Sequence, residues 1–188
     1  MKRLLIVLLM MSALPLLSVA QNASSEEVHE LGEITDKLNE VKKGVLVINQ
    51  FYDIGKNLRK LSLRVVVSTF EDGSKRQAVE ATILKDGMGN NSASATLSLN
   101  EVEKIINTLK VIHDELNKKH DVKTEYTFFT LSGFNMKFIK DEKGFNPMQG
   151  WIMIDGRISS RIITISLSDI SKIVSLFEDA LIFTRQNN

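Results

Sequence analysis

The stretch 96-TLSLNEVEKI-105 decides the fold, because a strand ends and a helix begins within it. Ser98 and Glu101 have the spacing of a capping box, in which each side chain binds a free backbone N–H at the helix start. From Val102 to Leu116, apolar residues recur every three or four positions. This period predicts a helix with one buried stripe.

The same pattern returns near the C-terminus as 164-TISLSDISKI-173, in which five of the ten positions are identical to the first stretch. Ser166 and Asp169 repeat the capping pair. Antiparallel strands are predicted before both junctions, most clearly around the hairpin signal Asp155-Gly156. An internal duplication explains this agreement, although any strand-to-helix junction favours a serine cap and apolar spacing.

Outward from these junctions, the chain divides into two β-rich units, at about 44–118 and about 123–184. The first strand of the first unit is predicted over Gly44–Tyr52. Apolar residues at helical spacing predict a further helix at about 26–43. The predicted fold class is therefore α+β: an N-terminal helix followed by two similar antiparallel ββββα units, in a single domain over 21–188.

A ββββα unit that ends in a Thr-Leu-Ser-Leu junction resembles the PUR-type repeat, which occurs in proteins that bind single-stranded nucleic acids. The residues that carry the resemblance are 96–105 and 164–173. The likeness in topology extends over most of the chain after residue 20. The resemblance implies a PUR-like architecture for the two units, and no functional residue is carried over with it.

The N-terminus has the three parts of a secretory signal peptide over residues 1–20. Lys2 and Arg3 precede an apolar stretch over 4–17, and Ser18-Val19-Ala20 supplies small residues before a cut. The apolar stretch is shorter than the ~20 residues that a spanning helix needs. We expect an exported protein, periplasmic or secreted by a bacterium, without stable membrane insertion after cleavage.

Composition excludes several kinds of chemistry. The chain has no cysteine, which excludes disulfides, cysteine nucleophiles and zinc–thiolate sites. Removal of Lys2 and Arg3 leaves 22 of the 24 basic residues against 23 acidic ones, a net charge of −1. A near-neutral chain provides no overall field that attracts nucleic acid or an anionic membrane.

No motif for catalysis or cofactor binding is present. The sequence lacks a nucleophile motif and a phosphate-binding glycine loop. His113-Asp114 and His120-Asp121 fit solvated residues near a helix end better than a surface metal site, because no defined ligand spacing accompanies them. We therefore predict no catalytic, cofactor-binding or metal-ligating residues.

Aromatic and sulfur-containing residues are concentrated in the second unit. Alternate residues along a strand point to opposite faces of a sheet, so part of this set belongs to the core. The remainder predicts an apolar binding surface for a ligand, a peptide or a second subunit. The candidate residues for this surface are Phe134, Phe138, Phe145, Trp151 and Met153.

The sequence therefore favours a non-enzymatic module of the bacterial cell envelope that binds a protein or a small ligand. Self-association into a homodimer, through the first helix or an exposed sheet edge, is one form of this hypothesis. One alternative is an enzyme whose site is assembled from dispersed residues. The other is a single-stranded nucleic-acid binder, which requires a basic stripe across Arg59, Lys60, Arg64, Lys75 and Arg76.

Overall fold

The computed structural model describes residues 46–84, 92–144, 147–156 and 160–187. The predicted signal peptide at 1–20 and the predicted helix at 26–43 lie outside these ranges. Two compact units are distinguished, Met1–Val47 and Ile48–Asn188. Only Leu46 and Val47 of the first unit are described, so the account below concerns the second.

The described residues form two four-stranded sheets and two helices. The first half of the fold contains β1 (Val47–Leu58), β2 (Leu61–Phe70), β3 (Lys75–Ile83), β4 (Ala93–Leu97) and α1 (Leu99–Asn117). The second half contains β5 (Thr124–Phe129), β6 (Phe134–Lys140), β7 (Met148–Asp155), β8 (Ser160–Ile165) and α2 (Leu167–Gln186). Strand order is sequential in each sheet. The α+β class with two antiparallel sheets is confirmed. Neither helix has the length and apolar character needed to cross a membrane, as judged over the described residues.

The inner faces of the sheets form the core, because side chains alternate between faces along each strand. Leu61, Leu63 and Val65 of β2 are buried, and the residues between them are only partly covered. In β6, Phe134 and Phe138 are fully buried. The Phe134 ring packs edge-on against Phe177 of α2, with centroids 5.6 Å apart.

Each helix begins at a serine whose backbone N–H donates a hydrogen bond to the carboxylate of the residue three positions later. In α1, the Glu101 N–H donates to Ser98 Oγ at 3.2 Å, and the Ser98 N–H donates to Glu101 Oε2 at 2.9 Å. In α2, the Ser166 N–H donates to Asp169 Oδ2 at 2.8 Å. The capping box predicted at Ser98 is confirmed.

The same two acids also bind the first hairpin turn of the opposite half. Glu101 Oε1 accepts hydrogen bonds from the Ser132 N–H at 3.2 Å and from Ser132 Oγ at 2.9 Å, in the β5–β6 turn. Asp169 Oδ2 lies 2.6 Å from Arg59 Nε, in the β1–β2 turn. The start of each helix is therefore fixed to the other half of the fold.

The far ends of the helices make the corresponding crossed contacts. Lys140 Nζ, at the end of β6, donates to the carbonyl oxygen of Leu116 in α1 at 2.6 Å. Gln77 Nε2 in β3 donates to the carbonyl oxygen of Asn187, just past α2, at 3.0 Å. Both ends of each helix thus contact the opposite half, which makes the two halves mutually dependent.

The β1–β2 turn differs from the sequence prediction, which ended the first strand at Tyr52. Strand β1 continues to Leu58, and the turn consists of Arg59 and Lys60 with φ of 47° and 75°. Two-residue hairpin turns with positive φ favour asparagine and glycine. Nothing in the pair Arg-Lys signals such a turn. The ion pair between Arg59 and Asp169 stabilises a basic side chain at this position.

Candidate binding surface on the second sheet

Polar groups of β2, β3 and β4 on the outer face of the first sheet bind one another, and Phe51 of β1 lies on the same face. Arg64 Nη2 in β2 donates to both carboxylate oxygens of Glu80 in β3 at 3.0 Å. The Arg64 guanidinium lies 4.5 Å from the ring centroid of Phe51. Thr82 Oγ1 and Ser94 Oγ are 2.8 Å apart across β3 and β4. This face has the chemistry expected of a solvated sheet surface.

The outer face of the second sheet carries apolar residues at the equivalent positions. Equivalence follows from the strand register, counted back from the cap serines Ser98 and Ser166. By this count, Glu80 is equivalent to Trp151, Thr82 is equivalent to Met153, and Ser94 is equivalent to Ile162. Three polar positions of the first face are therefore apolar on the second, although the backbone pairing is the same.

These residues border an open groove of about 470 Å³ on the outer face of the second sheet. Its apolar walls are Phe129, Trp151, Met153 and Ile162, Met136 contributes to its floor, and we call this feature the apolar groove. Phe129 and Ile162 stand at 70% and 61% exposure. The volume falls within the ~300–1,000 Å³ typical of small-molecule sites.

A single ion pair supplies the charge of the groove lining. Lys137 Nζ lies 2.8 Å from Glu125 Oε1, and the hydrogen bond from this ammonium group lowers the pKa of the Glu125 carboxyl. In the first sheet the equivalent cation, Arg64, pairs with Glu80. Because Trp151 occupies the position of Glu80, the charged pair of the second sheet lies between β5 and β6 instead. The β7 side of the groove is thereby left apolar.

The structure divides the predicted surface residues between two faces. Trp151 and Met153 lie together in the apolar groove. Phe134 and Phe138 lie on the opposite face and are fully buried. Phe145 lies outside the described residues. Phe138 occupies the core because Gly150 opposite it leaves room: a Cβ at Gly150 would lie 2.8 Å from the Phe138 ring.

The sequence prediction lacked three residues of the groove: Phe129, Met136 and Ile162. Two of them had a usable signal. Phe129 and Ile162 fall on the outer face once the alternation of β5 and β8 is set by their buried neighbours. Met136 is itself buried and contributes only the floor of the groove, for which the sequence carries no signal.

The two histidines within the described residues, His113 and His120, take part in local contacts. His120 Nε2 lies 2.9 Å from the carbonyl oxygen of Glu115 and 3.4 Å from the Tyr126 hydroxyl. The backbone N–H of His120 donates to Glu142 Oε1 at 3.0 Å and lowers the pKa of that carboxyl. Burial raises the pKa of Tyr126. His113 Nδ1 lies 3.6 Å from Asp114. Within the described ranges, no three histidine or acidic side chains cluster closely enough to hold a metal ion.

The proposed basic stripe is partly neutralised by ion pairs. Arg59 pairs with Asp169, and Arg64 pairs with Glu80. A stripe that binds phosphates electrostatically requires cations whose charge is not already compensated. The charges of Arg59 and Arg64 are therefore already compensated by protein carboxylates.

No protein-family model matches the chain, and no curated protein matches it. The two halves of the molecule can, however, be compared with each other. Their outer faces occupy equivalent positions on the same arrangement of strands. A difference between these faces is therefore not required by the strand arrangement that they share.

Proposed function

We propose that this chain is a non-enzymatic binding module whose apolar groove receives a neutral, apolar surface of a partner protein. The observation that carries the proposal is the exchange of Glu80, Thr82 and Ser94 for apolar residues at the equivalent positions of the second sheet. Contiguous apolar patches on a soluble surface mark sites of interaction. The polar first face provides the internal reference for an outer surface without a partner.

The chemistry of the groove favours binding over catalysis. The ionisable residues among its described lining are Glu125 and Lys137, and they bind each other. A catalytic site needs titratable groups that converge on a reacting atom. Apolar walls with one compensated ion pair instead suit a partner without net charge.

Export to the cell envelope is part of this proposal, and the tripartite N-terminus supports it. We expect the mature chain to begin at Gln21. N-terminal sequencing of the protein purified from its own cells tests this, with cell fractionation as the second measurement. A chain that still begins at Met1 and remains with the membranes would contradict export.

We also propose that the two halves arose by duplication and share a PUR-like architecture. The support is threefold: the matching junctions at 96–105 and 164–173, the same strand order, and the crossed contacts of Glu101 and Asp169. Duplication accounts for the equivalent register of the two outer faces. It also explains how one face diverged while the other kept its polar pairs.

In-cell photo-crosslinking tests the binding proposal. A photo-crosslinking amino acid replaces Ile162 in the apolar groove, and in a matched control it replaces Ser94, the equivalent position on the first sheet. We expect a discrete covalent adduct from position 162 and none from position 94. Equal labelling at both positions, or no adduct at 162 despite normal expression, would contradict the proposal.

A further inference from the structure

We infer that Met153 is a site of reversible oxidation, and that conversion of its thioether to a sulfoxide reduces binding at the apolar groove. This inference rests on the proposed function and adds the regulation of the same site. Three observations carry it: the position of Met153, the polarity of the equivalent position on the first sheet, and the absence of cysteine from the chain.

The methionines of the second sheet differ in their access to solvent. Side chains alternate along β7, so Met148 lies on the inner face and packs against the core, whereas Met153 lies on the outer face. Met136 in the groove floor is only 1% exposed. Met153 is half-buried in the wall of the open groove, two residues from Trp151 and opposite Ile162 of β8. A dissolved oxidant therefore reaches the Met153 thioether more readily than that of Met136.

The position equivalent to Met153 on the first sheet carries a polar oxygen. Thr82 Oγ1 lies 2.8 Å from the hydroxyl of Ser94, the residue equivalent to Ile162. Oxidation of Met153 adds an oxygen at the corresponding place on the second sheet, but Ile162 opposite it offers no hydroxyl. An apolar partner that covers this oxygen removes its water without replacing the hydrogen bonds, which is unfavourable. One added oxygen therefore weakens binding at the groove.

The chemistry of methionine makes this change reversible. The chain has seven methionines and no cysteine, so methionine provides its only sulfur. Hydrogen peroxide transfers one oxygen atom to the thioether: its O–O bond breaks, an S–O bond forms, and water leaves. A methionine sulfoxide reductase reverses the step with a thiol reductant, which becomes a disulfide while the oxygen leaves as water. Export, as proposed above, exposes the thioether to compartments more oxidising than the cytoplasm.

Peptide mass mapping of the purified protein during treatment with hydrogen peroxide tests the site. We expect Met153 to gain one oxygen at least about tenfold faster than Met136, because burial protects the latter thioether. Circular dichroism should stay unchanged over the same period, since Met153 is not part of the core. Equal rates at the two positions, or unfolding that accompanies oxidation of Met153, would overturn the inference.

The emission of Trp151, the only tryptophan in the chain, reports the polarity of the groove. Peroxide should shift this emission to longer wavelengths, and methionine sulfoxide reductase should restore it. Met153→Leu keeps the wall apolar and should abolish the shift. Met148→Leu, the same change on the inner face, is the matched control and should leave the shift in place. A shift that persists in Met153→Leu would overturn the inference.

The crosslinking experiment separates this inference from the proposed function. Cells with the photo-crosslinking residue at position 162 are treated with peroxide before irradiation. The adduct should fall at least about tenfold when Met153 is present and persist in Met153→Leu, because leucine does not accept the oxygen. Met153→Gln, a polar side chain of similar length, should lose the adduct without peroxide. An adduct that persists after Met153 is oxidised overturns the inference and retains the binding module. Absence of any adduct before oxidation overturns both.

Discussion

The two sheets have the same strand order, and the register of β2–β4 matches that of β6–β8, but three polar positions on the outer face of the first sheet are apolar on the second. On the first, Arg64 binds Glu80 and lies against Phe51, so polar groups satisfy one another in contact with water. On the second, Trp151, Met153 and Ile162 border an open groove. The fold constrains the inner faces of both sheets equally. The difference between the outer faces is therefore not a requirement of folding, and it supports the proposal that the second face binds a partner.

The inner faces differ too, but there the differences compensate. Val65 faces Val79 across β2 and β3, whereas Phe138 faces Gly150 at the equivalent positions of β6 and β7. Two side chains of intermediate size are thus replaced by one large residue and one without a side chain. Close packing preserves the total volume of the core, whereas the solvated face has no such requirement.

The largest expected effect separates the inner and outer faces of the second sheet. Phe134→Ala should reduce the free energy of unfolding by about 3–5 kcal/mol, because it leaves a cavity in the core. Phe129→Ala, the same change on the exposed face, should alter it by less than about 0.5 kcal/mol. Urea denaturation provides both values. Equal losses would mean that the two faces do not differ in burial.

A smaller effect tests the compensated pair in the core. Gly150→Val should cost about 1–3 kcal/mol, because the new side chain overlaps the Phe138 ring. Adding Phe138→Val recreates the Val–Val pair of the first sheet and should recover part of this loss. Thermal melts of the single and double variants measure the coupling. Strictly additive losses would contradict the equivalence of the two positions.

A third prediction concerns the crossed contact at the start of α2. Burial alone raises the pKa of Asp169, but the hydrogen bonds from Ser166 and the Arg59 guanidinium outweigh it and lower this pKa below its ordinary value of 3.8. The stabilisation from a lowered pKa is present above the unfolded-state pKa and is lost as the pH falls through the folded-state pKa. Asp169→Asn should therefore cost about 0.5–2 kcal/mol near pH 7.

The pH profile of that variant provides the check. Urea denaturation from pH 7 down to pH 2 should show the stabilities of wild type and Asp169→Asn converging in acid. Asp114→Asn, on the exposed side of α1, is the matched control and should follow the wild-type curve throughout. If the difference in free energy of unfolding between wild type and Asp169→Asn were the same at every pH, the stabilisation from Asp169 would not depend on the charge of its carboxylate.

The smallest effect concerns the polar outer face. Glu80→Gln removes the charge that Arg64 binds and should cost only about 0.2–1 kcal/mol, because exposed ion pairs contribute little. The loss should shrink further in 1 M salt, where such interactions are screened. Denaturant titrations at low and high salt measure it. A loss above 2 kcal/mol would mean that the Arg64–Glu80 ion pair contributes more to stability than an ion pair on a solvated surface does.

Local signals predicted much of the fold. The strand-to-helix junctions at Ser98 and Ser166 are found at the residues expected from sequence. The first hairpin turn was missed, because Arg59 and Lys60 are held at positive φ by a partner more than 100 residues away. Of the candidate surface residues, Trp151 and Met153 lie in the groove, whereas Phe134 and Phe138 lie in the core. Residue type alone does not say which face of a strand a side chain occupies.

The sequence by itself determined the periodicity, the helix caps and the absence of cysteine chemistry, because each depends on residues within a few positions of one another. Only the tertiary structure decided that each helix contacts the opposite half and that Phe129, Trp151 and Ile162 border one groove. Those contacts join strands separated by loops and turns: the groove follows from the register of β5–β8, and the helix contacts follow from how the two halves pack. Local propensity does not encode that packing.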